Sequence, residues 1–242
     1  RALSALEAAA QIARPGPSGK RLVDSAAIEQ ALQRRVLLYD KGGDEHYNVV
    51  SAFIKSLRGS DPDAALYWMT RMLEAGEEPL FVLRRMVIFA AEDVGCADPQ
   101  ALILSMATVD AFRLVGMPEG ILPMSELCLY LATAPKSNTA LTASGAAREA
   151  VQRRGALPVP VHLRNADHGM ARMQGYGKGY QYPHDFPGHH VAQQYLPDAL
   201  VGERYFEPSG LGHERIIAER LRRWRGEAQE APSDGAGRNE KR

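Results

Sequence analysis

The sequence predicts an all-α fold: an antiparallel helical bundle or array, then an irregular strap and a closing helix. Three observations predict it. Apolar residues recur every three to four positions, the period of one helix face rather than the alternation of a strand. Helix starts are marked by Asp61-Pro62, Glu78-Pro79 and Asp98-Pro99, each placing an acceptor before a proline whose missing N–H is not needed in a first turn. Gly59, Gly76 and Gly95 stand where helices stop, and the connections are so short that consecutive helices must be antiparallel neighbours.

Taken in order, residues 1–12 form a short helix with Leu3, Leu6 and Ala10 on one face, closed by the breaker run Arg14-Pro15-Gly16-Pro17-Ser18-Gly19. Asp24 caps a second helix to residue 35. Residues 44–99 organise the rest of the chain. Their first helix has Tyr47, Val50, Ile54 and Leu57 inward, the next Ala65, Trp68, Met69 and Met72, and the third Phe81, Leu83, Val87 and Ala90 or Ala91. A fourth helix over 98–115 presents Leu102, Met106, Ala107, Val109 and Phe112 as buried positions. The short helix 124–134 is apolar nearly all round, which requires central burial or a subunit interface. Ser137 caps a helix running to Arg154. Between residues 157 and 210 prolines and glycines forbid long helices. Seven interleaved aromatic rings, Tyr176 to Phe206, mark an ordered strap laid over the helical body rather than a linker. A helix over 213–227 carries Ile216, Ile217, Leu221 and Trp224, and the polar tail 229–242 is expected to be disordered.

Composition sets limits. The 242 residues carry 29 basic and 29 acidic side chains with 45% hydrophobic residues, enough for a sizeable core and evidence against a general polyanion coat. Cys96 and Cys128 are not arranged as a disulfide framework. There is no apolar run long enough for a membrane span and no signal-peptide pattern at the start, so the expected compartment is the cytoplasm. The chain opens mid-helix at Arg1 without a methionine and is expected to be a piece of a longer polypeptide.

Catalytic motifs are missing. Gly19-Lys20 and Gly177-Lys178 lack both the leading glycine and the following hydroxyl that a phosphate-cradling P-loop needs. No nucleophile elbow is present. His184, Asp185, His189 and His190 offer metal-ligand chemistry without ligand spacing, and hydrogen bonds tying down the strap are the expected role. Glu92-Asp93 are adjacent on a helix and point apart, so they read as helix-end charges rather than an acid/base pair. No catalytic, cofactor-binding or metal-binding residue is assigned.

The block SLRGSDPDAALYWMTRMLEAGEEPLFVLRRMVIFAAEDVGCADPQAL resembles the carboxyl-terminal half of the replication-associated recombination protein A family (RarA or MgsA). These are AAA+ ATPases related to clamp loaders and to the Werner helicase-interacting protein. Three later blocks extend the likeness in order: Ala134 to Asn138 (APKSN), Val161 to Ala166 (VHLRNA) and Gly175 to Asp185 (GYGKGYQYPHD). The resemblance implies the end of an AAA+ lid over residues 1–72, a family-specific helical oligomerisation domain over 73–228 including the strap, and the tail beyond.

For function, the resemblance implies a non-catalytic piece of an ATPase acting in replication-fork maintenance and repair, with ATP and magnesium held by an amino-terminal domain outside this chain. It also implies homotetramer assembly, with DNA and a single-stranded-DNA-binding protein as further partners and no membrane. A surplus of apolar helix surface marks Trp68, Met69, Met72, Leu127, Tyr130 and Leu131 as the candidate interface. The candidate DNA contacts are Lys55, Arg58, Arg84, Arg85, Lys136 and Arg164. Two other classes remain open: a free-standing helical adaptor for a protein partner, and a metal hydrolase built on the histidines of the strap.

Overall fold

The computed structural model describes residues 10, 13, 23–25, 28, 44–167 and 169–226. The helix expected over 1–12, its breaker loop, most of the helix over 24–35 and the tail 229–242 lie outside the described residues. Among the described residues, the first compact unit, which ends at Ser137, holds five principal helices: α1 (Asp44–Arg58), α2 (Pro62–Glu74), α3 (Pro79–Phe89), α4 (Gln100–Val115) and α5 (Ile121–Thr133). The second unit, from Asn138, holds α6 (Thr139–Arg154), the five-residue α7 (Gly169–Met173), α8 (Glu214–Arg225) and several single 3₁₀ turns. No strand occurs among the described residues, so the fold is all-α.

The punctuation residues work as their chemistry dictates. The Asp61 carboxylate accepts from the Ala64 N–H at 2.9 Å, that of Glu78 from Leu80 at 3.1 Å and that of Asp98 from Gln100 at 3.1 Å. α2 closes with a Schellman pair in which Gly76 N–H reaches Leu73 O and Glu77 N–H reaches Met72 O, with Gly76 left-handed at φ 83°. α1 closes the same way, but the left-handed residue is Ser60 (φ 59°) and not Gly59. Asn138, rather than Ser137, holds the N-cap position of α6. The Ser137 N–H is turned to the Asp93 carbonyl at 2.7 Å.

α5 packs against each of the other four helices of its unit. Met124, Leu127, Cys128, Leu131 and Ala132, three and four residues apart, form one broad buried stripe that meets all four; Leu122, Glu126, Leu129 and Thr133 on the opposite side stay exposed, so the helix expected to be buried all round is covered on one side. It starts at Ile121, three residues earlier than expected, with Pro123 tolerated in the first turn where no intrahelical N–H is required. Around it the core takes Val49, Phe53, Leu57, Met69, Met72, Val82, Leu83, Met86 and Phe89. The buried stripe of α1 is thus turned toward Val49 and Phe53, whereas Tyr47, expected inside, is 69% exposed.

α4 departs further from expectation. Its inward stripe is Ala101, Ser105 and Val109, one turn apart, with Phe112 partly buried, and the buried Ser105 hydroxyl donates to the Ala101 carbonyl at 2.7 Å. Leu102, Met106 and Ala107, expected in the core, face outward. The small inward residues let α4 lie close to the core, and its larger apolar side chains are left on the surface.

A core of this kind sets the scale of mutational damage. Phe53→Ala should cost about 3–5 kcal/mol and Asp61→Ala about 1 kcal/mol, both read from urea unfolding. The reverse order would mean that Phe53 does not anchor α1.

Candidate functional site

The residues with sequence signatures gather where α3 ends. After Phe89 the helix widens into a π turn, Ala90–Val94, which buries Ala90, Asp93 and Val94 and stops at Gly95. Asp93 then accepts two hydrogen bonds from the Arg58 guanidinium, 2.5 Å from Nε and 3.0 Å from Nη2. That bond, with the nearby charges of Asp93 and Glu92, raises the Arg58 pKa despite partial burial. Lys136 is also spent inside the subunit: Nζ donates to the Ala134 carbonyl at 2.6 Å, the Ala132 carbonyl at 2.9 Å and the Ser60 hydroxyl at 3.2 Å. Burial lowers its pKa, and its charge sits at the carboxyl end of α5, where the helix dipole favours a cation. The Asp98 carboxylate accepts from the Tyr130 hydroxyl at 2.5 Å, and that hydroxyl is pushed up to about 12, chiefly by this bond. The block APKSN and the segment before Gly95 therefore lock helix ends to one another.

Lys55, Arg58 and Arg85 converge on a cleft of about 520 Å³ between α1 and α3, walled by Tyr47, Val50, Ile54 and Phe81. His46 adds a fourth basic group, its Nδ1 3.0 Å from a Glu77 carboxylate oxygen. The His46 ring lies 5.5 Å from Tyr47 and 5.4 Å from Phe81, centroid to centroid. Arg84, although adjacent to Arg85, lies on a different groove, of about 360 Å³ between α3 and α4, and pairs with Glu78 at 3.3 Å. Sequence reasoning missed His46, Tyr47 and Phe81 as site residues, because aromatic residues at helical spacing read as core.

The candidate interface needs correction. Met69, Met72, Leu127 and Leu131 are 2% exposed or less and lie inside the subunit core, so they have no surface to offer a second copy. Trp68 and Tyr130 are partly buried against the same core. In the first unit exposed apolar side chains are most numerous on α4, where Leu102 is 43% exposed, Ile103 59%, Met106 46% and Leu114 86%; Leu122 and Leu129 of α5 are exposed as well. Grooves run along both flanks of this helix, one shared with α3 and one of about 250 Å³ shared with α5.

In the second unit, Arg164 donates to the Val159 carbonyl at 2.7 Å and stacks its guanidinium over Tyr176 at 5.1 Å. Glu214 is fully buried and accepts from the Thr139 hydroxyl and the Ser209 N–H, both at 2.5 Å, joining the starts of α6 and α8 to the strap. The His184 and His189 rings lie 4.8 Å apart, whereas His190 stacks on Trp224 at 5.7 Å. Among the described residues no group of three His, Cys, Asp or Glu side chains is placed to hold a metal, and no helix is long and apolar enough to cross a membrane. Both cysteines are free, and burial pushes the Cys128 thiol up to about 12.

Comparison with known proteins accounts for this pattern. The family described as the carboxyl-terminal domain of MgsA AAA+ ATPase matches residues 59–225. The chain belongs to that family. An AAA carboxyl-terminal domain matches residues 1–58. An uncharacterized AAA domain-containing protein of Mycobacterium tuberculosis is 48% identical over 93% of the chain and 49% of its own length. Replication-associated recombination protein A of Escherichia coli K12 is 42% identical over 91% of the chain and 50% of its own length. The ATPase WRNIP1 of Dictyostelium discoideum is 48% identical over 73% of the chain and 20% of its own length. The chain spans about half the length of the first of these relatives.

The Tyr130–Asp98 bond gives a test in alkali. The folded chain holds the neutral hydroxyl, so the contribution is complete below pH 10, the ordinary value, and is lost as the pH rises to about 12. The melting temperature should fall more steeply across that window for the native chain than for Tyr130→Phe; equal slopes would show that the bond does not stabilise the fold.

Proposed function

We propose that this chain is the assembly half of a replication-associated recombination ATPase. It holds subunits together as a homotetramer and contributes DNA contacts at replication forks in the cytoplasm. ATP and magnesium are handled by sequence that the relatives carry outside the matched half. Family membership and the names of the relatives support the setting. Free, unpaired cysteines suit a reducing compartment.

The observation that carries the assembly role is the outer face of α4. Five large apolar side chains on one helix, Leu104 included, with Val115 also half exposed at its end, make a patch of a kind that marks interaction sites. The helix stands between two apolar grooves. A ridge beside a groove is self-complementary: the ridge of one copy fills the groove of the next, and a two-fold axis repeats the contact.

Light scattering on the purified chain should give a mass about four times that of the monomer; the α4 contact supplies one two-fold interface and closes a dimer, and pairing of two dimers completes the tetramer. Ile103→Glu and Met106→Glu should lower the mass while leaving far-UV circular dichroism unchanged, because both positions are exposed. Leu127→Ala should instead cost about 2–5 kcal/mol of stability through the core. A native chain that stays monomeric at micromolar concentration refutes the assembly role.

A further inference from the structure

We infer that the cleft between α1 and α3 receives single-stranded nucleic acid, with a phosphate held by Lys55 and Arg85 and a base laid on Tyr47. The inference rests on the DNA reading above and narrows it to one place and one form of nucleic acid.

The charge distribution selects the phosphate partners. Of the four basic groups on the cleft, two are balanced: Arg58 by Asp93, with Glu92 near it, and His46 by Glu77. Lys55 and Arg85 have no ion pair among the described residues. The Arg85 Nε is buried and has no acceptor. Two free cations with one unmet donor, converging on a single cleft, fit one phosphate rather than a long polyanion track.

The walls select what is attached to that phosphate. Tyr47 keeps 69% of its surface in water although it sits on the apolar side of α1, and Phe81 and His46 stand beside it. An aromatic rim beside unpaired cations is the arrangement by which proteins hold unpaired strands, since every base offers a flat face whatever the sequence. The cleft volume of about 520 Å³ falls in the range of sites that enclose a small group. In a duplex the base faces are covered by their neighbours, leaving nothing to lie on Tyr47. An acidic peptide could meet the cations, but its charged side chains have no flat apolar group for that ring.

Fluorescence anisotropy with a labelled oligothymidine of about 15 nucleotides, titrated with the 242-residue chain at about 50 to 200 mM NaCl, tests this. Binding should weaken with salt. Lys55→Ala and Arg85→Gln should each reduce affinity roughly tenfold and lower the salt slope by about one. Tyr47→Ala should reduce affinity about five- to thirtyfold with the slope unchanged. Arg113→Ala, on the groove between α3 and α4, should stay within about twofold of the native chain. Lys55 and Tyr47 are exposed, so their variants report on binding even if Arg85→Gln perturbs the fold. DNA binding that ignores Lys55, Arg85 and Tyr47, or that prefers duplex, overturns the cleft assignment and leaves the broader DNA reading standing. No binding of either form at low salt ends both. Loss on removing the cations with no effect of Tyr47→Ala reduces the cleft to a charge contact and also overturns it.

Discussion

The first unit depends on one requirement: the broad apolar stripe of α5, from Met124 to Ala132, must be covered. No single neighbour can do this, so α1, α2, α3 and α4 all pack on it. Short connections between them follow, because each helix has to return to the same central element. The requirement also shapes α4. To lie close to the core it turns Ala101 and Ser105 inward, and the volume it gives up there reappears outside as Leu102, Ile103 and Met106. Burying α5 and exposing an apolar ridge on α4 are two results of the same packing.

Polar groups then secure the ends. Asp93, carried inward by the π turn, holds Arg58 at the end of α1 with its carboxylate and the residue after Lys136 with its carbonyl. Lys136 gathers the last carbonyls of α5 and the hydroxyl of Ser60, which explains why a serine occupies a left-handed position that a glycine next door could have taken. Segments that look like chemical signatures in the sequence are therefore joints. Arg58 and Arg85 illustrate the difference between a joint and a contact: the first is matched by a carboxylate, while the second has a buried N–H with no partner. In the second unit Glu214 plays the joining role for α6, α8 and the strap.

On the proposed reading, two surfaces of the first unit do the work. One is apolar and is the proposed seat of a second copy; the other combines cations and rings and is the proposed seat of a strand of nucleic acid. They lie on different helices of one unit, α4 for the first and α1 with α3 for the second. A rigid core between them is what would let an assembly hold a strand in a set position.

The sequence alone determined the all-α class, the helix borders marked by Asp-Pro, Glu-Pro and glycine, and the irregular backbone of the strap, because proline and glycine act through local backbone geometry. It also marked α5 as a very apolar helix, although the structure buries one broad stripe of it and leaves Leu122 and Leu129 exposed. Only the tertiary structure decided which stripe of α1 and of α4 faces inward. Tyr47 recurs at helical spacing with Val50, Ile54 and Leu57 as well as Val49 and Phe53 do, and Leu102 with Met106 as well as Ala101 with Ser105; Ile54 and Leu57 are buried as expected, and Val49 and Phe53 take the place expected of Tyr47. Periodicity reports that a helix has an apolar face but not which of two overlapping faces meets a neighbour. That choice depends on how closely the helices can approach, and so on side-chain volumes brought together from distant parts of the chain.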